Sequence, residues 1–127
     1  MDIETIQKEC DIISLHVPYT SLTHHLINLE FIRKCDKKPI IINTSRGSVV
    51  DTPAIIHALK HQNIRGFCVD VFEDEPIGAG KVYPPMLYHQ LLNFEHVVAT
   101  SHVAGWTIES KFKLVEVLWQ KMQDFIA

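Results

Sequence analysis

Pro39-Ile40-Ile41-Ile42-Asn43-Thr44-Ser45-Arg46-Gly47, followed closely by Asp51-Thr52-Pro53-Ala54-Ile55, is the stretch on which the fold turns. Three isoleucines in a row, with no polar alternation, suit a strand buried on both faces, as parallel sheets require. Asp51 is placed to cap a helix, and Pro53 falls in its first turn, where a missing N–H costs nothing. Ala54, Ile55, Ala58 and Leu59 carry that helix forward. Apolar strand, polar turn and capped helix together make one strand–helix unit.

The same pattern extends in both directions. Ile3 to Glu9 reads as the end of a helix, and Asp11 to Leu15 as a short apolar strand closed by His16-Val17-Pro18. Asn28 to Cys35 reads as a short helix, with Asn28 as its N-cap and Glu30 in its first turn. Gly66 to Asp70 is a third strand, a long Pro/Gly-containing stretch runs from Glu73 to about Pro85, and His96 to Thr100 is a fourth strand. Thr107 then caps a final helix on which Ile108, Phe112, Val115, Trp119, Met122 and Ile126 form one apolar stripe. That stripe is expected to pack on the chain's own sheet. Alternating elements of this kind predict an α/β fold with about four parallel strands, covered on both faces by flanking helices.

Composition narrows the function. The 127 residues are 46% hydrophobic, enough for the core of one domain. A formal charge of −3 and the lack of a Lys/Arg run give no reason to expect nucleic-acid binding, and no stretch has the length and apolarity of a membrane span. Cys10, Cys35 and Cys68 are dispersed, which suggests reduced thiols and a cytoplasmic setting. Cys68 falls in an apolar run and reads as core packing. His57 and His61 have helical spacing, but no further ligand stands near them in sequence, so they read as a surface pair and not as a metal site.

Polar residues gather just after the strand ends: His16, then Thr44-Ser45-Arg46, then Asp70 with Glu73 to Glu75, then Ser101-His102. Open α/β sheets bind ligands outside those carboxyl ends. Arg46 offers a planar fork for a carboxylate, and Gly47 beside it suits a sharp turn. Asp70, Glu73, Asp74 and Glu75 crowd one loop, where acids raise one another's pKa or orient an imidazole, and Pro76 stiffens the backbone after Glu75. His102 has the side chain best suited to exchanging a proton near neutrality. Singly, each has an ordinary structural alternative. Together, arginine, glutamate and histidine supply an anion clamp, an orienting acid and a proton donor, which suits reduction of a 2-keto acid. No Gly-x-Ser-x-Gly elbow favours a hydrolase. Gly78-Ala79-Gly80 begins like a dinucleotide cradle, but Tyr83 stands at the third glycine position, so it is rejected as one.

With these motifs in place, the chain resembles the D-isomer-specific 2-hydroxyacid dehydrogenases over nearly its whole length. The matching segments are Leu15-His16-Val17-Pro18 with Thr23, Ile42 to Gly47, Val69-Asp70-Val71-Phe72 with Glu75-Pro76, and His102-Val103-Ala104-Gly105. The resemblance implies that Arg46 binds the substrate carboxylate, that His102 is the general acid/base, and that Glu75 is its carboxylate partner. It implies that Asp70 meets the nicotinamide carboxamide. His16, Val17, Pro18, Thr23, Thr44, Ser45 and Gly105 would line the NAD or NADP side of the cleft. The family usually carries proline where Ser101 stands, a change expected to leave the imidazole in place.

The family's glycine-rich first half and its substrate domain have no counterpart in these 127 residues. The expectation is half of a Rossmann-type doubly wound sheet, a partial NAD(P)-binding domain over residues 1–127. Alone it should bind NAD weakly and be inactive, and it should self-associate as a homo-oligomer through its open first strand. A small 2-hydroxy or 2-keto acid would be the substrate of the full-length enzyme. A non-enzymatic nucleotide-sensing or protein-interaction module, like the family's co-repressor members, is the alternative.

Overall fold

The computed structural model of the chain describes residues 2–73 and 86–126. Glu75, Pro76 and Gly78 to Gly80 therefore lie outside the described residues. The elements in order are α1 (Ile3–Glu9), β1 (Ile12–Leu15), α2 (Leu29–Arg33), β2 (Ile40–Asn43), a 3-10 turn (Gly47–Val49), α3 (Thr52–Lys60), β3 (Gly66–Val69), α4 (Met86–Leu92), β4 (Val97–Ala99) and α5 (Ile108–Ile126). The four strands form one parallel sheet in the order β1-β2-β3-β4.

The helix starts follow the expected caps. Asn28 Oδ1 accepts from the Phe31 N–H at 2.9 Å, Asp51 Oδ1 from Ala54 at 3.2 Å, and Thr107 Oγ1 from Ser110 at 3.0 Å. Each satisfies a first-turn amide that the helix itself leaves unpaired. A polar cap Asp2 does the same for α1, accepting from Thr5 at 2.8 Å.

Register determines which side chains are buried. Ile13, Ile41, Phe67 and Val97 form one row across the sheet, and Leu15, Asn43, Val69 and Ala99 the next. These rows pack with Phe31, Ile32, Ile55, Ile56, Leu59 and Leu91 into one core. Cys35 belongs to that core, and burial pushes its thiol up to about 11. Cys10 and Cys68 are half-buried, and all three cysteines are free thiols.

Two expectations need correction. The opposite face of the sheet, with Ser14, Ile42, Cys68 and Val98 in register, is only partly covered: Ile12 is 57% and Val98 62% exposed. The helices bury one face, so the strands alternate in burial although their sequences do not alternate in polarity. Second, α5 does not pack on the sheet. It has no buried residue, and its stripe from Ile108 to Ile126 faces solvent along its length. The stripe shows that the helix has an apolar face to cover, and nothing in its spacing identifies the covering surface.

Candidate active site

The carboxyl ends of β1, β2 and β3 and the loop after β4 surround an open cleft of about 1090 Å³. Its walls bring together His16, Val17, Pro18, Thr44, Ser45, Arg46 and His102 from the expected residues. Tyr19, Gly47, Ser48 and Phe72 complete the lining and were not among them. Thr23, Asp70 and Gly105 lie off the lining.

The Arg46 loop is held from beneath by Asn43. That side chain is fully buried at the end of β2. Its Nδ2 donates to the Arg46 carbonyl at 3.0 Å, while its Oδ1 accepts from the Ser45 N–H at 3.1 Å and the Ser45 hydroxyl at 2.9 Å. One amide thus closes the turn that presents the guanidinium, which is exposed and donates to the Ser45 carbonyl at 2.7 Å. A buried asparagine ending an all-isoleucine strand was the available sequence signal, because an amide there must find partners in its own loop.

The chain turns at Gly47 as expected, and the missing side chain serves a second purpose. A Cβ built on it would meet the Phe72 carbonyl oxygen at 1.8 Å and the Glu73 amide nitrogen at 2.5 Å. The absent side chain lets the loop after β2 lie directly against the backbone leaving β3. Its value is close approach, not a left-handed turn.

His102 is at φ 55°, a left-handed conformation that costs a non-glycine residue about 1 kcal/mol. Asp70 and its neighbours hold it there. The His102 N–H donates to the Asp70 carbonyl at 2.8 Å. The Asp70 side chain, 2% exposed, accepts from the Thr100 hydroxyl, from the Val103 N–H at 2.9 Å and from the Ala104 N–H at 3.0 Å. Burial alone would raise this carboxyl. The three donors, with a smaller contribution from the charge of a protonated His102, outweigh it and hold the carboxyl below its ordinary value. The crowded acids therefore do not raise the pKa of Asp70.

Thr23 acts behind the cleft wall. Its hydroxyl donates to the Pro18 carbonyl at 2.7 Å and so shapes the His16–Pro18 segment. His16 itself is bonded through Nε2 to the Ser14 hydroxyl at 2.8 Å. The acid loop does orient an imidazole, but the described partner is His25, whose Nε2 lies 2.6 Å from Glu73 Oε1. His57 on α3 stacks on His61 at the helix C-cap, with ring centroids 4.1 Å apart.

Fold, strand-end chemistry and motif order meet in one comparison. A family model described as "D-isomer specific 2-hydroxyacid dehydrogenase, NAD binding domain" matches residues 1–104. The chain belongs to that family. It is 45% identical over 116 residues to a protein named glyoxylate reductase from Thermofilum pendens, a match covering 91% of this chain and 32% of that protein. Among solved structures, D-lactate dehydrogenase from Aquifex aeolicus, complexed with NAD and lactic acid, superposes with a TM-score of 0.78 at 36% identity, covering 99% of this chain and 40% of that one. The NAD-complexed D-isomer specific 2-hydroxyacid dehydrogenase from Lactobacillus delbrueckii ssp. bulgaricus gives a TM-score of 0.81 at 30% identity, with the same coverage. The chain spans about a third of the length of the curated relatives it matches.

Proposed function

We propose that this chain is the substrate-facing part of the NAD-binding domain of an oxidoreductase that interconverts D-2-hydroxy acids and 2-keto acids. The observation that carries this reading is the meeting of Arg46 and His102 on one cleft whose third wall is His16–Pro18. The cleft is roomy enough for the nicotinamide end of the cofactor with a small acid beside it. His16, Val17, Pro18, Thr44 and Ser45 would hold that end, together with Thr23, Asp70 and Gly105. When bound, NAD supplies or accepts the hydride, and NADP remains the alternative form. Arg46 grips the substrate carboxylate with a bidentate pair and polarises the neighbouring carbonyl. His102 donates a proton to the carbonyl oxygen in reduction and removes it in oxidation. Glu75, two residues beyond Glu73 in sequence, is the proposed carboxylate partner of His102.

A graft tests the assignment. Residues 1–127 would replace the matching stretch of the Thermofilum pendens protein. The chimera should oxidise NADH in the presence of glyoxylate. His102→Ala in it should lower kcat by roughly a hundredfold or more, the usual worth of a general acid. Arg46→Ala should chiefly raise the KM for glyoxylate. Unchanged kinetics in either variant would overturn the roles.

The 127-residue chain by itself should bind NAD weakly and turn over little, since it brings no glycine-rich cradle for the pyrophosphate. We also place it in the cytoplasm, as its free thiols suggest. Among the described residues β1 is a sheet edge with one neighbour, and the exposed stripe of α5 adds further apolar surface. Both favour self-association. Light scattering of the isolated chain should therefore give the mass of a dimer or larger. A monomer mass persisting at high concentration would refute this.

A further inference from the structure

We infer that Glu73 is a positioning residue for the Arg46 loop, working as a pair with His25. The inference rests on the role proposed above for Arg46, but its mechanical part does not. Glu73 is the point at which three loops of the carboxyl edge are fastened together. Its Oε1 takes the bond from His25 Nε2 at 2.6 Å, and its Oε2 accepts from the Thr52 N–H at 2.7 Å. His25 lies on the segment after β1, Thr52 begins α3, and Glu73 itself leaves β3.

Both partners continue toward Arg46. The His25 N–H donates to the Ser48 carbonyl at 2.9 Å, the Ile27 N–H to Val49 at 3.1 Å, and the Asp51 N–H back to Ile27 at 3.0 Å. This zips the His25–Ile27 segment along the 3-10 turn that begins at Gly47. From the other side, the Phe72–Glu73 peptide is the surface against which Gly47 lies without room for a Cβ. The turn next to Arg46 is thus gripped between the two residues that form the pair. His25 adopts φ 49°, an uncommon backbone state for a non-glycine residue, in presenting its ring to Glu73. Side-chain exposures of 35% for His25 and 19% for Glu73 leave the bond partly shielded from water. Nothing in the sequence announces the pair, whose members are 48 residues apart.

The test is amide hydrogen exchange on the 127-residue chain. Glu73→Ala should speed exchange at Val49, Val50 and Thr52 at least tenfold while leaving Ile41, Ile42 and Phe67 in the strands unchanged. His25→Ala should reproduce the increase at Val49 and Val50. His25→Gln, which retains a side-chain donor, should restore slow exchange. If Glu73→Ala fails to fold, the two His25 variants decide the matter. A uniform rise that includes the strand amides, or no rise at the turn, would overturn the inference. In the grafted enzyme, Glu73→Ala should raise the KM for glyoxylate about tenfold with a smaller change in kcat. A fall in kcat at constant KM would contradict a role exerted through Arg46. A graft inactive before mutation would count against the proposed function, while the exchange pattern would still decide the role of Glu73.

Discussion

Gly47→Ala should be the most damaging single methyl group that can be added near the cleft. The new Cβ would sit 1.8 Å from the Phe72 carbonyl oxygen and 2.0 Å from its carbon. Both are backbone atoms, so no rotamer change relieves the overlap. Either the turn at Gly47–Val49 or the segment leaving β3 must move. Overpacking against adaptable side chains costs roughly 1–3 kcal/mol, and a clash with fixed backbone belongs at or above the top of that range. We expect a loss of about 3 kcal/mol, or a fall in Tm of roughly 10 °C for a domain of this size. Thermal unfolding followed by circular dichroism measures it. Because the same displacement carries Arg46 with it, the grafted enzyme should lose glyoxylate affinity even at temperatures where it remains folded. A Tm within about 2 °C of the parent would show that the two backbones separate easily, contrary to the packing described.

Asp70 supports the second large effect. Asp70→Ala leaves the Thr100 hydroxyl and the amides of Val103 and Ala104 without their acceptor. Removing one partner of a buried charged group costs more than the bonds themselves contribute. A loss of roughly 3 kcal/mol is expected at neutral pH. Its pH dependence has a definite sign. The folded carboxyl titrates below its ordinary value of 3.8, so the folded state favours the ionised form. The contribution of Asp70 is then fully present above about pH 4 and fades as the pH falls through the lower, folded value. The stability gap between the parent and Asp70→Asn, measured by urea unfolding, should be wide at pH 7 and shrink as the pH falls below the ordinary carboxylate value of 3.8. A gap that widened on acidification would refute the assignment. The same change weakens the side-chain anchors at Thr100, Val103 and Ala104 on either side of His102, so Asp70→Asn in the grafted enzyme should lower kcat as well.

The strands were legible because each is a short apolar run stopped by a polar residue. The caps Asn28, Asp51 and Thr107 were legible because the bonds they make are local. Arg46 and His102 could be brought together from sequence by a general rule, since parallel strands deliver their following residues to one edge. Helix α4 was not anticipated. It is seven residues long, only Leu91 among residues 87–92 is fully buried, and it follows directly on a stretch rich in proline and glycine. The hidden parts of the site share one cause. The grip of Asp70 on the loop after β4, the fit of Gly47 against Phe72 and the bond from His25 to Glu73 all join distant segments. Their partners are set by how loops turn after leaving the sheet, which periodicity does not encode.

The strand order has a kinetic meaning. Among the described residues, each strand after β1 pairs with the strand made immediately before it. Every pairing therefore closes a loop of only one connection, which keeps the entropy of closure small and the contacts local. A chain emerging from the ribosome could lay down β1, add β2 to its edge and continue in order, with the cleft loops locked as the later strands dock. Sequential growth of this kind leaves one growing edge exposed at each stage, and among the described strands that edge passes in turn from β1 to β4.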